Sequence, residues 1–141
     1  MEYAIGVGLA ALVGLFLSCV GLDKDRAAYP VILTVIAVVY ELFAAMGGSN
    51  TALVLELLPT TIFICAAVVG FRTSLWWVVA GLIGHGVYDI IHPALFMNPG
   101  VPVWWPTFGL AYDFMAGAFL AWRLMRNQGV RARFEIGRAH V

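Results

Sequence analysis

Apolar residues along this chain fall in runs of about twenty, separated by short clusters of charged residues, Gly, Pro or Asn. A helix needs about 20 mostly apolar residues to cross about 30 Å of hydrocarbon. Five stretches meet that length: residues 3–22, 29–46, 51–70, 75–96 and 106–125. The first stops at Asp23-Lys24-Asp25-Arg26, the second at Gly47-Gly48-Ser49-Asn50, and the third at Phe71-Arg72-Thr73-Ser74. Between the fourth and fifth lies Met97-Asn98-Pro99-Gly100-Val101-Pro102-Val103-Trp104-Trp105, dense in turn and breaker residues. Strands are excluded, because the runs are too long and an open sheet edge is not viable in lipid. The pattern predicts an all-α membrane bundle of five spans in a single domain, residues 1–134.

Charge adds an orientation. Lys24 and Arg26 follow the first span, Arg72 the third, and Arg123, Arg126, Arg131 and Arg133 end or follow the fifth. The connections after the second and fourth spans hold no Lys or Arg. The positive-inside rule then puts the N-terminus outside and the C-terminus in the cytoplasm, as an odd number of spans requires. Trp76, Trp77 and Trp122 are expected at the inner interface, and Trp104 and Trp105 at the outer one. Met1-Glu2-Tyr3 offers no basic leader, so a prokaryotic inner membrane is the expected location and no signal peptide is expected.

Composition agrees. Of 141 residues, 62% are hydrophobic and 11% charged, with 8 basic against 8 acidic residues. Mean hydropathy is +0.92. Soluble domains average about 25% charged residues. The balance excludes a basic nucleic-acid binder, and the length leaves no room for a large second domain. The bilayer is the expected partner. The small size also points to a homo-oligomer or to a subunit of a membrane complex. The last seven residues, Glu135-Ile136-Gly137-Arg138-Ala139-His140-Val141, resemble the translation of a sequencing adapter on a metagenomic read. They are set aside, and the native chain is expected to continue past Phe134.

Six ionisable residues sit inside the spans: Glu41, Glu56, His85, Asp89, His92 and Asp113. Such a residue costs at least about 2.5–3.5 kcal/mol at mid-bilayer, so it calls for a role. All six fall in the middle-to-outer half of their spans, which predicts one shared polar cavity opening outward. The densest segment is Gly84-His85-Gly86-Val87-Tyr88-Asp89-Ile90-Ile91-His92-Pro93. His85, Asp89 and His92 stand at i, i+4 and i+7, on one stripe of a helix. Pro93 lacks an N–H and crowds the carbonyl of Asp89, which predicts a kink.

Three readings of this stripe stay open. In the first, His85, Asp89, His92 and Asp113 hold a divalent metal such as zinc, iron or manganese, since one helix can supply ligands at i and i+4. One of them then serves as an orienter of a ligating His rather than as a ligand. In the second, the acids and histidines relay protons or ions in a small transporter. In the third, they lock the bundle by hydrogen bonding or line a pocket for a hydrophobic small molecule. Glu41, Glu56, Tyr88, Tyr112, Asn98, Trp104 and Trp105 are the candidate pocket or relay residues. An enzymatic role is left open; a site at membrane depth points to a lipidic or amphiphilic substrate.

Weaker marks complete the picture. Tyr40-Glu41, Tyr88-Asp89 and Tyr112-Asp113 repeat a Tyr–acid pair on three spans. Gly6, Ala10, Gly14 and Ser18 form a small-residue face suited to close helix packing. Cys19 and Cys65 are expected to be buried free thiols in the inner half, where a cytoplasm-facing layer disfavours a disulfide.

The segment His85 to Pro93, then Asn98-Pro99-Gly100-Val101-Pro102, Trp104-Trp105-Pro106 and Tyr112-Asp113, resembles an uncharacterised family of small polytopic bacterial membrane proteins. The five-span layout is similar to that of the tryptophan-rich sensory proteins, which bind porphyrins and sterols, although their Trp/Pro/Asn motifs are missing here. His85-xxx-Asp89 resembles a His-xxx-Glu element of sterol isomerase-like proteins, with Asp in place of Glu. These likenesses imply a helical bundle and raise the ligand-pocket reading.

Overall fold

The computed structural model describes residues 1–139, with side chains through Gln128. The side chains of Arg131, Arg133 and the 135–141 tail lie outside what is described. The chain forms five α-helices: α1 Glu2–Val20, α2 Ala28–Met46, α3 Asn50–Arg72, α4 Trp76–Leu95 and α5 Trp105–Ala139. A short 3₁₀ turn, Leu22–Lys24, follows α1. No strand occurs among the described residues.

Local chemistry sets the ends. Gly21 adopts φ 82° and closes α1 by donating its N–H to the Leu17 carbonyl, a left-handed cap that favours glycine. Ser49 starts α3, its Oγ accepting from the Ala52 N–H at 3.1 Å. Helices α1 to α4 are long and apolar enough to cross a membrane. The 19 residues of α1 span about 29 Å at 1.5 Å per residue. Helix α5 is not among those four: Tyr112 and Asp113 interrupt its apolar stretch, and Arg123 and Arg126 close it. It also runs beyond residue 125, through a polar segment that contains Asn127 and Gln128.

Helix α4 is central, packing against α5, α3 and α2, while α1 packs along α5 and α2 along α3. Neighbours across α1 and α5 run parallel. Gly6 faces Phe108 and Ala111, and Gly14 faces Phe119. A Cβ on Gly6 would stand 2.5 Å from the Phe108 carbonyl oxygen, so the two backbones touch there. Between apolar helices in lipid, this close van der Waals approach replaces the hydrophobic drive of soluble cores. The small-residue face is therefore real at Gly6, Ala10 and Gly14, but its fourth member is Leu17. Ser18 turns outward instead and donates to Asp23 at 2.6 Å.

Helices α2 and α3 each bury one stripe. On α2 it includes Leu33, Ala37, Tyr40 and Ala44; on α3 it includes Ala52, Glu56, Thr60, Ala67 and Gly70. These positions recur at three- and four-residue steps. At one end of the bundle, Arg26 donates to the carbonyls of Gly70 and Thr73, and Arg123 pairs with Asp23 at 3.0 Å. Lys24, Arg26 and Arg123 thus gather around one crevice, opposite the end that carries Asn98.

Cys19 and Cys65 are free, and both are exposed on the outside of the bundle. The expectation of burial is corrected: on a bundle read as facing lipid, a thiol behaves as a small apolar group and needs no protein cover.

Candidate functional site

The polar residues form two adjacent clusters around α4. In the first, His85 Nδ1 lies 2.8 Å from Asp113 Oδ2 and 3.8 Å from Asp89 Oδ2. Tyr40 donates its hydroxyl to Asp89 Oδ1 at 2.7 Å. In the second, Glu56 Oε1 lies 2.8 Å from His92 Nε2 and accepts from Asn98 Nδ2 at 2.8 Å, while Glu56 Oε2 accepts from the Tyr88 hydroxyl at 2.7 Å. Tyr40 joins the two clusters. Its ring packs 4.4 Å from that of His92, and its carbonyl accepts from Asn98 Nδ2 at 3.1 Å.

Backbone packing holds these groups in place. Tyr88 and His92 reach Glu56 because α3 and α4 run antiparallel, with Glu56 opposite the C-terminal half of α4. Asn98 arrives from the connection between α4 and α5. Gly100 seats that connection directly on the Phe43 carbonyl, where a Cβ would collide with backbone. Gly109 leaves the space occupied by the Asp89 carboxylate, and Gly86 does the same for Phe114 and the Asp113 Cβ.

The two clusters differ in how well they are satisfied. Glu56 receives three side-chain partners, and its unit of charge faces one histidine. In the other cluster, two carboxylates share the single His85, and no Lys or Arg is near in sequence on α4 or α5. His85 Nε2, Asp89 Oδ2 and Asp113 Oδ1 are buried with no hydrogen-bond partner. His85, Asp89 and Asp113 are each exposed by 1% or less. Leaving such atoms unpaired costs about 1–3 kcal/mol apiece, and more for charged groups. With both carboxylates ionised, the cluster is short of one positive charge and of donors.

His85, Asp89 and Asp113 each offer a ligand atom, and those atoms lie within 4.8 Å of one another. Tetrahedral zinc–ligand bonds of about 2.0–2.2 Å put ligand atoms about 3.3–3.6 Å apart. An ion therefore draws the most distant of the three closer by about an ångström.

Of the four sequence candidates for the metal, the structure brings together His85, Asp89 and Asp113. His92 lies on the same helical stripe, but its ring is engaged by Glu56. Among the pocket candidates, Glu56, Tyr88 and Asn98 belong to the second cluster. Glu41 does not join either cluster by a hydrogen bond among the described residues; its Oε1 is buried and unpaired, one helical step off the inward stripe of α2. Trp104 is largely exposed, at 48%, and packs on Trp105, which in turn meets Phe43 edge-on. Tyr112 is half-buried and stacks on Phe108.

Sequence reasoning passed over Tyr40. The Tyr40-Glu41 pair drew attention to the acid, whereas the tyrosine faces inward. The stripe Leu33, Ala37, Tyr40, Ala44 was the available signal. The tyrosines do not bond the acids next to them in sequence: Tyr40 bonds Asp89 and Tyr88 bonds Glu56, each on another helix.

The chain matches no protein-family model, no curated protein and no solved structure.

Proposed function

We propose that His85, Asp89 and Asp113 form a divalent-metal site in a membrane-embedded bundle, with α5 as the fifth span and the inner membrane as the location. The observation that carries this reading is the unsatisfied state of the cluster: three buried polar atoms without partners, beside two carboxylates sharing one histidine. A divalent cation supplies the missing charge and occupies the unpartnered lone pairs. Mixed His and carboxylate ligands suit zinc, iron or manganese. Three protein ligands leave a position open, as in catalytic rather than structural zinc sites. At this depth the molecule that meets the open position is lipidic or amphiphilic.

Within this reading Tyr40 positions Asp89, and the Glu56–His92–Asn98 cluster braces α3 against α4. Competition titration of the purified full chain with a chromogenic zinc chelator tests the proposal. Asp113→Asn removes one ligand while retaining size, and is expected to weaken zinc binding by about 10-fold or more. Equal affinity in the variant contradicts it.

A proton-relay reading has one observation in its favour. Titratable groups line up in two adjacent sets, Asp113, His85 and Asp89 with the Tyr40 hydroxyl, and Glu56 and His92 with the Tyr88 hydroxyl, which meet where the Tyr40 ring packs on His92. It predicts pH-dependent transport in proteoliposomes that survives removal of metal by chelator.

A further inference from the structure

At the end of the bundle opposite Asn98, three segments surround a crevice of about 650 Å³. One is the turn after α1, with Asp23, Lys24, Asp25 and Arg26. The second is the α3–α4 connection, residues 73–75, and the third is the 120–128 stretch of α5. The lining is amphipathic. Lys24, Arg26 and Arg123 supply cations, while Leu75, Trp76 and Leu124 supply an apolar surface. Trp76 is 40% exposed there, in keeping with an indole at the level of lipid head groups.

The charges of this lining do not cancel. Lys24, Arg26 and Arg123 stand against Asp23 and Asp25. Asp23 neutralises Arg123: its Oδ2 lies 3.0 Å from Arg123 Nη2 and also accepts from the Ser18 hydroxyl at 2.6 Å. Asp25 Oδ1 accepts from the Ala27 N–H at 3.0 Å, at the start of α2, where the positive end of the helix dipole offsets its charge in part. Arg26 bonds only neutral groups, its Nη2 donating to the carbonyls of Gly70 and Thr73. Among the described residues, its Nη1 and Nε and the Lys24 ammonium have no partner. Both side chains are exposed and so can be reached. Two accessible cations without a carboxylate, with N–H donors to spare, suit a phosphate oxyanion.

We propose that this crevice binds an anionic phospholipid, its phosphate at Lys24 and Arg26 and its glycerol and acyl carbons against Leu75, Trp76 and Leu124. Basic pockets between membrane helices suit such head groups. A phosphocholine carries its own cation and leaves the excess positive charge of the crevice unanswered. Free phosphate answers the charge but makes no use of the apolar surface. The inference uses residues at the other end of the bundle from the His85–Asp89–Asp113 group and does not depend on a metal there.

Native mass spectrometry of the 141-residue chain in mild detergent, titrated with phosphatidylglycerol or with phosphatidylcholine of the same acyl chains, tests the proposal. Phosphatidylglycerol is expected to bind saturably and about ten-fold more tightly than phosphatidylcholine, as two interfacial cations allow. Lys24 has no side-chain bond to lose among the described residues, so Lys24→Gln keeps the fold; it is expected to remove most of that preference. Arg72→Gln neutralises a cation at the same end of the bundle that does not line the crevice, and is expected to leave the preference unchanged. Equal affinity for the two lipids in the folded wild type overturns the proposal. So does a preference that survives Lys24→Gln, or one that falls equally in Arg72→Gln, since general surface charge then accounts for it. Displacement of phosphatidylglycerol by an equal concentration of sn-glycerol 3-phosphate overturns the lipid assignment in favour of a free phosphate; failure to displace it sustains the lipid.

Discussion

Tyr40 on α2 donates to Oδ1 of Asp89 on α4 at 2.7 Å, while Oδ2 of the same carboxylate is buried and unpartnered. One oxygen is thus fixed by the protein and the other is presented, close to His85 and Asp113. This is the relation expected of a ligand oriented by a neighbour that does not itself touch the ion.

Tyr40→Phe removes that orienting bond and little else. Interhelical hydrogen bonds in membranes are worth about 0.6–2 kcal/mol, so stability is expected to fall by that order. Zinc affinity is expected to fall about 10–100-fold as the Asp89 carboxylate loses its orientation. Chelator competition and thermal unfolding on the same sample separate the effects. Lower stability at unchanged affinity reduces Tyr40 to a packing residue.

The second cluster is predicted to be structural. His92→Ala leaves Glu56 buried without its histidine, and breaking one side of a buried pair costs about 3–5 kcal/mol. A large drop in unfolding temperature is expected, with metal stoichiometry retained at low temperature where the variant is folded. Loss of metal from folded His92→Ala, measured by mass spectrometry, puts His92 back among the ligands.

Metal binding is expected to weaken as pH falls. Ligation needs an unprotonated His nitrogen and ionised carboxylates, so protons compete with the ion at His85, Asp89 and Asp113. Binding isotherms across the acidic to neutral range should show apparent affinity rising with pH. An affinity independent of pH contradicts ligation by these groups.

Gly100→Ala places a methyl group against the Phe43 backbone carbonyl. The connection must move, taking Asn98 away from Glu56 and from the Tyr40 carbonyl. Overpacking of this kind costs about 1–3 kcal/mol. The measurement is thermal unfolding beside Asn98→Ala; a double variant no worse than Gly100→Ala alone confirms that both act through the same contact.

Much of this was legible in the sequence because the bilayer imposes strong rules. Long apolar runs between charged or Gly-rich breaks gave five helices, and the cost of burying Glu56, His85, Asp89, His92 and Asp113 marked them for a role. Spacing on α4 placed His85, Asp89 and His92 on one stripe, which the structure shows. What spacing within one helix does not contain is the neighbour opposite each residue. His92 and His85 look equivalent on α4, yet one meets Glu56 of α3 and the other Asp113 of α5. Tyr40 and Glu41 differ by one position and so by 100° around α2, enough to put one in the site and the other outside it. That α1 packs along α5 rather than along α2 is also invisible in the chain, since consecutive helices usually pack together.

The most direct measurement is metal content by inductively coupled plasma mass spectrometry. The 141-residue chain, purified in mild detergent without chelator, is compared with a His85→Ala/Asp89→Ala double variant, both checked for helical content. Close to one zinc, iron or manganese ion per chain in the wild type, lost in the double variant, is the predicted result. A folded wild type that carries no metal and takes none up on dialysis against zinc, iron or manganese contradicts the account.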